Sequence, residues 1–272
     1  MTRTALLLLL MMSGTLYGCL GSGVRLTPGQ QKLAVLQQRA QLQTERGRPT
    51  EAERLLQEAL RLAASLDDRQ GQTSVLLQQA RLARQTGNLE AADQVIAKAL
   101  PLATGGPYHA DAAQERALLE LARNDVAAAT QWAEIARREE RGALIASRLN
   151  LLARLALLQG NRDRAAQLAE EALNKTTDDS LASERANALR MLGMIDGQQG
   201  RFDQAEHKLH QALVLDKQLE LSARIAADLE ALAELAGLRD DTPAQQEYQQ
   251  RATTVRDAIN DVKQPLPQPG AP

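Results

Sequence analysis

The sequence predicts an all-α protein of about six helical hairpins stacked in series. Three observations carry this. One phrase of small and large apolar residues recurs along the chain, with successive copies 36 to 40 residues apart. Aromatic residues make up 2% of the chain, so Ala and Leu must supply the packing, as they do between closely spaced helices. No proline occurs between Pro107 and Pro243, which leaves that stretch free of helix breakers.

The phrase has a glycine followed by apolar residues five, nine and twelve positions later. The first copy sets Gly47 before Ala52, Leu56 and Ala59; the second sets Gly87 before Ala92, Ile96 and Ala99. Later copies join Gly160 to Ala165, Ala169 and Ala172, and Gly200 to Ala205, Leu209 and Ala212. These offsets fall on one face of a helix, with the glycine in the turn before it. Eleven residues upstream of each glycine stands a leucine (Leu36, Leu76, Leu149, Leu189), followed four residues later by Ala40, Ala80, Ala153 or Gly193. Each copy therefore predicts two helices, A and B, whose small residues permit close approach.

The interval from Gly87 to Gly160 accommodates a degenerate copy, read as Arg123 in the glycine position with Ala128 and Trp132 on the core face. A sixth copy puts Arg239 in that position. Thr242 is expected as the N-cap of its helix B, Pro243 as the first helical residue and Gln245 as the partner closing a capping box. The pairs Asp67-Asp68 and Asp178-Asp179 fall between hairpins and suit caps for the next helix A.

This pattern resembles the tetratricopeptide repeat, TPR, in a variant longer than the usual period of about 34 residues. The resemblance implies a TPR-type α-solenoid over residues 31–258 that forms a right-handed superhelix, with helix A of each hairpin on the concave side. That side is expected to hold an extended peptide or a partner helix. The groove positions are then Gln37 and Gln41, Ser74, Arg81 and Arg84, Asn150 and Arg154, and Asn187, Arg190 and Met194. Arg and Asn recur among them without Asp or Glu, so the groove is expected to be mildly electropositive and to take an acidic or C-terminal peptide. The alternative is a solvated helix face. The two-carboxylate clamp of chaperone-binding relatives is not matched.

The N-terminus carries a second signal. Arg3 precedes the apolar run from Ala5 to Met12, and Leu16, Tyr17 and Gly18 lead into Cys19, the only cysteine. The run has the length of a signal-peptide core and falls short of the roughly 20 apolar residues of a membrane span. Leu16-Tyr17-Gly18-Cys19 resembles the lipobox of bacterial lipoprotein precursors. The resemblance implies cleavage after residue 18 and a diacylglyceryl and acyl lipid on Cys19, the only bound group expected. An ordinary secretory signal is the alternative. By analogy with lipoprotein sorting, Leu20 in place of an aspartate favours the outer membrane, facing the periplasm. Residues 19–30 read as a flexible tether, and residues 259–272, with four prolines from Gln264 onward, as a disordered tail.

Composition and motifs bound the chemistry. A net charge of −2 gives no nucleic-acid footprint. His207 and His210 stand three apart without a third ligand, and His109 is isolated, so no metal site is expected. No nucleophile elbow or phosphate loop appears, and Gly21-Ser22-Gly23 belongs to the tether. The expected function is that of a non-catalytic, membrane-anchored scaffold for protein partners in the cell envelope, with no small-molecule substrate. The alternative is a pilotin-like or export or polysaccharide-secretion accessory lipoprotein that assists an outer-membrane complex.

Overall fold

A computed structural model describes residues 26–263. Cys19, the lipobox residues Leu16, Tyr17 and Gly18, and the proline-rich segment from Gln264 lie outside the described residues. Twelve α-helices occupy the described residues, paired in six hairpins. The first three hairpins are α1 (Pro28–Glu45) with α2 (Pro49–Ser65), α3 (Arg69–Gln85) with α4 (Leu89–Ala103), and α5 (His109–Ala122) with α6 (Val126–Glu139). The last three are α7 (Ile145–Leu158) with α8 (Arg162–Asn174), α9 (Ala182–Gln198) with α10 (Phe202–Gln218), and α11 (Ser222–Leu238) with α12 (Thr242–Lys263). A 3₁₀ turn, Asp179–Leu181, leads into α9. Each helix packs on its hairpin mate, the second helix of each of the first five hairpins packs on the first helix of the next, and α1 with α3, α3 with α5, α7 with α9 and α9 with α11 also touch along one side. The result is the expected all-α TPR-type solenoid.

The repeated phrase works as a packing register. Ala52, Leu56 and Ala59 of α2 are buried, as are Ala92, Ile96 and Ala99 of α4, Ala165, Ala169 and Ala172 of α8, and Ala205, Leu209 and Ala212 of α10. On the facing helices Leu36, Leu76, Leu149 and Leu189 are buried with their small partners. Where the partner is glycine there is no room for a side chain: a Cβ at Gly193 would stand 2.8 Å from Cγ of Leu209. The hydrophobic contribution is spread over many Ala and Leu contacts, at about 25 cal/mol per Å² of apolar surface withdrawn from water.

Gly47, Gly87, Gly160 and Gly200 all adopt positive φ, between 67° and 80°, at the turn inside a hairpin. The structure corrects two copies here. The left-handed residue of the third hairpin is Asn124, φ 64°, and that of the sixth is Asp240, φ 59°, each one residue beyond the arginine expected. Asn and Asp are the non-glycine residues that tolerate this region best, because their short polar side chains bond locally. The shifted register puts Ala129, Ala133 and Ala136 in the core. Trp132 packs on that core only partly buried, at the position beside the one expected.

Helix starts follow the same logic. Asn88, Asp125 and Asn161 cap α4, α6 and α8 by accepting a backbone N–H three residues ahead. In α12 that cap is Asp241, whose Oδ1 accepts from Ala244 N at 3.1 Å, and Thr242 is already helical. Asp68 caps α3 and Asp178 caps the 3₁₀ turn. The tether and tail boundaries move as well. Thr27 and Gln30 form a capping box that starts α1 at Pro28, within the segment expected to be flexible. At the other end α12 runs to Lys263, beyond the expected boundary at 258.

Candidate functional site: the concave groove

The odd-numbered helices present their polar positions to one side, and there the predicted groove residues separate into two groups. Asn150, Arg154, Asn187, Arg190 and Met194 line one cleft of about 820 Å³ formed by α5, α7, α9 and α11. Gln41 and Arg81 line a smaller one of about 250 Å³ between the first two hairpins, and Gln37, Ser74 and Arg84 line neither. The groove residues that the sequence did not single out are mainly apolar: Leu118, Leu151, Leu158 and Met191, with Glu184 and Arg224 among the polar ones. Leu158 is 55% exposed there.

The expected electropositive face is largely compensated from within. Arg81 Nε donates to Glu115 Oε1 at 2.8 Å and Arg84 donates to Glu115 Oε2 at 3.1 Å. Glu115 is buried between them on α5. Arg190 donates through Nε to Asp228 Oδ1 at 2.5 Å, through a second nitrogen to Asp216, and through a third to Asn187 Oδ1 at 3.1 Å. Gln37 donates to Ser74 Oγ at 2.6 Å, and Gln41 donates to Glu45 Oε1 at 3.0 Å. Among the described residues Arg154 is exposed and has no ion-pair partner. Glu115 and Asp228 sit on the neighbouring odd-numbered helix about one repeat away and Asp216 on the hairpin mate, so a reading of single helix faces could not reveal them. Opposite charges spaced one period apart are the signal that would have.

A polar rung joins every adjacent pair of odd-numbered helices. The rungs are Gln37 to Ser74, Arg81 to Glu115, Arg148 to Asp111, Asn150 to Glu184 and Arg190 to Asp228, separated by 34 to 38 residues in sequence. Arg148 is 2% exposed and also donates to Glu140 Oε2, so Glu140 is a structural partner. Asn150 has particular chemistry. It is buried in the groove wall, its Nδ2 donates to Glu184 O at 2.9 Å and to Glu184 Oε2 at 2.8 Å, and its Oδ1 has no donor. A buried amide oxygen without a donor is an acceptor in want of an N–H.

Beneath Arg190 lie two fully buried carboxylates, Asp216 from α10 and Asp228 from α11. Burial pushes Asp228 up to about 6, against the pull of Arg190 and with a further push from the Asp216 charge. Burial likewise raises Asp216 despite Arg190 and Arg224 nearby. The histidines lie elsewhere: His207 is exposed, and His210 packs partly buried against the Tyr248 ring, centroids 6.4 Å apart. Among the described residues no group of three or more His, Cys, Asp or Glu side chains could hold a metal ion, and no helix is long and apolar enough to cross a membrane.

The comparisons with known proteins concern this same solenoid. The Rap conjugation gene regulator of plasmid pLS20, solved with the Phr* peptide, superposes with a TM-score of 0.71 at 14% identity, covering 92% of this chain and 68% of that one. Pseudomonas aeruginosa pilF gives 0.58 at 15% identity over 85% and 95% of the two chains. The type IV pilus biogenesis factor PilW gives 0.60 at 15% identity over 82% and 93%. These likenesses establish a shared fold. No curated protein matches the sequence. The family model of the MalT-like TPR region matches residues 26–255, nearly the whole described solenoid, and the chain belongs to that family.

Proposed function

We propose that the protein is a non-catalytic scaffold, anchored in the bacterial envelope through a lipid on Cys19, that holds an extended anionic segment of a protein partner in the α5–α11 groove. The observation that carries the groove reading is Arg154, exposed and without an ion-pair partner among the described residues, which supplies the cation for a carboxylate. It stands in a cleft whose wall also carries Leu118, Leu151 and Met191 for apolar side chains. Support also comes from the structural neighbour solved with a bound peptide.

The lipid reading rests on the Leu16-Tyr17-Gly18-Cys19 resemblance. At about 0.8 kcal/mol per buried methylene, two or more acyl chains would hold the protein stably at a membrane, with the outer membrane as the proposed location. The second reading, a pilotin-like accessory lipoprotein, is favoured by the likeness to PilW, a type IV pilus biogenesis factor.

Two substitutions test these readings. Cys19→Ser is expected to move the protein from the membrane to the soluble fraction with its helical circular dichroism intact; retention at the membrane would refute the anchor. In-cell crosslinking followed by mass spectrometry should identify a partner whose yield falls strongly with Arg154→Glu. An unchanged crosslinking pattern would refute the groove. Secretin or other pilus components among the crosslinked proteins would favour the second reading over a general scaffold.

A further inference from the structure

The Asp216–Arg190–Asp228 cluster has one charge too many. Two carboxylates with no solvent exposure share a single guanidinium, which reaches them from the groove wall. Arg190 satisfies one oxygen of each; Asp216 Oδ1 and Asp228 Oδ2 have no hydrogen-bond partner. Two unpaired carboxylate oxygens in a dry site repel, and one proton between them would convert the repulsion into a hydrogen bond. Both carboxyls meet the same guanidinium, Asp228 at Nε and Asp216 at a terminal nitrogen, which brings them side by side.

The surroundings do not supply the missing hydrogen-bond donor. From α9 come Arg190 and the neutral Asn187. From α11 comes Arg224, which attracts Asp216 but gives its hydrogen bonds to Ser183. From α12, on the far side of α11, Arg256 pairs with Glu230 instead.

We propose that the Asp216–Asp228 pair is a proton-dependent modulator of the groove, binding one proton in mildly acidic conditions and thereby strengthening the capture of an anionic segment. The inference rests on the groove reading above and adds its regulation. With both aspartates ionised, two negative charges stand behind the wall that carries Arg190. One bound proton removes one of them, and the field of Arg154 and Arg190 then acts on the groove more strongly. Linkage is reciprocal, so an anion in the groove also favours proton uptake by the pair. No movement of the backbone is required, because the signal is the charge itself.

The test uses the full chain and a fluorescein-labelled hexaglutamate peptide as the anionic probe, with affinity read by anisotropy at pH 5.5 and 7.5. Wild type should bind about fivefold more tightly at pH 5.5, the size expected for one buried charge acting over roughly 10 Å at intermediate dielectric. Asp228→Asn keeps the shape and removes the charge, so it should bind tightly at both pH values and lose the pH dependence. Asp216→Asn should do the same, and a circular dichroism melt confirms that each variant folds. Equal pH dependence in wild type and both variants would overturn the proposal while leaving the groove reading intact, provided Arg154→Glu abolishes binding. Binding that survives Arg154→Glu, or no binding at either pH, would refute the groove reading and the proposal together. Carbon-13 NMR of the aspartate carboxyls gives a direct check. A pair that titrates in the ordinary range near 4 overturns the proposal whatever the peptide does.

Discussion

Gly193 of α9 and Leu209 of α10 face each other, and the space for a methyl group at residue 193 is already filled by the leucine. A Cβ there would meet Leu209 Cγ at 2.8 Å and Cδ2 at 2.9 Å, with the Ala205 carbonyl oxygen at 3.1 Å. Gly193→Ala gains about 1 kcal/mol of helix propensity but overpacks a fully buried contact, which costs typically 1–3 kcal/mol. The expected result is a net loss of about 1 kcal/mol by urea denaturation. In that background a smaller residue at 209 should cost less than it does alone, so a Gly193→Ala, Leu209→Val cycle should show positive coupling.

The hairpin turns separate backbone strain from packing. Gly87 has φ 80° and nothing within 4 Å of the place a Cβ would take, so Gly87→Ala adds strain without a clash. It should cost about 1 kcal/mol, with the denaturant slope unchanged. Asn124 occupies the same conformation in the third hairpin, and Asn124→Gly should be close to neutral or stabilising by a few tenths.

Glu115 holds Arg81 and Arg84 together from a buried position. Removing one partner of a buried ion pair leaves uncompensated charge and costs about 3–5 kcal/mol, less where a partner is solvated. Arg81 is 53% exposed, so Glu115→Ala should cost nearer 2 kcal/mol. Glu115→Gln should cost less, since the amide oxygen still accepts from one arginine. Thermal denaturation of both variants beside wild type measures the difference.

The buried aspartates give stability a distinctive pH dependence. The Asp228 carboxyl stands at about 6 in the folded protein, raised first by burial, against about 3.9 in an unfolded chain. The folded state therefore binds protons more tightly across that window. Their contribution to stability is full below about pH 4, falls as pH rises to about 6 and is flat above. This is opposite in sign to a salt-bridged surface carboxylate. Asp228→Asn should remove the decline and stabilise the protein at pH 7 by an amount of order 2 kcal/mol. Chemical denaturation at half-unit pH intervals reads both effects.

The hairpins were legible because stacking requires the same apolar offsets every time, and the Gly87, Gly160 and Gly200 copies place their buried residues where the spacing put them. The third and sixth turns were misplaced by one residue. Asn124 and Asp240 can do a glycine's work, and the adjacent arginines drew the register one step early. The groove was half legible. Asn150, Arg154, Asn187, Arg190 and Met194 do line one cleft, because their positions follow from the helix period. Its charge was not, because Glu115, Asp216 and Asp228 reach the arginines from other helices, and pairing across an array is invisible to the periodicity of one helix.

The rungs between odd-numbered helices have a consequence for how the chain keeps its hairpins in order. The apolar offsets are alike in the first five units, so greasy packing alone would let any of these dock on any other. The rungs differ: an amide on a hydroxyl, two arginines on one glutamate, an arginine on an aspartate from the unit before, an amide on a glutamate, an arginine on two aspartates. Excising the third hairpin would set Arg81 and Arg84 against Leu151 and strip Arg148 of Asp111, although every leucine and alanine could still find a seat. The polar side thus acts as an address label, and a shuffled array would be well greased but wrongly sorted.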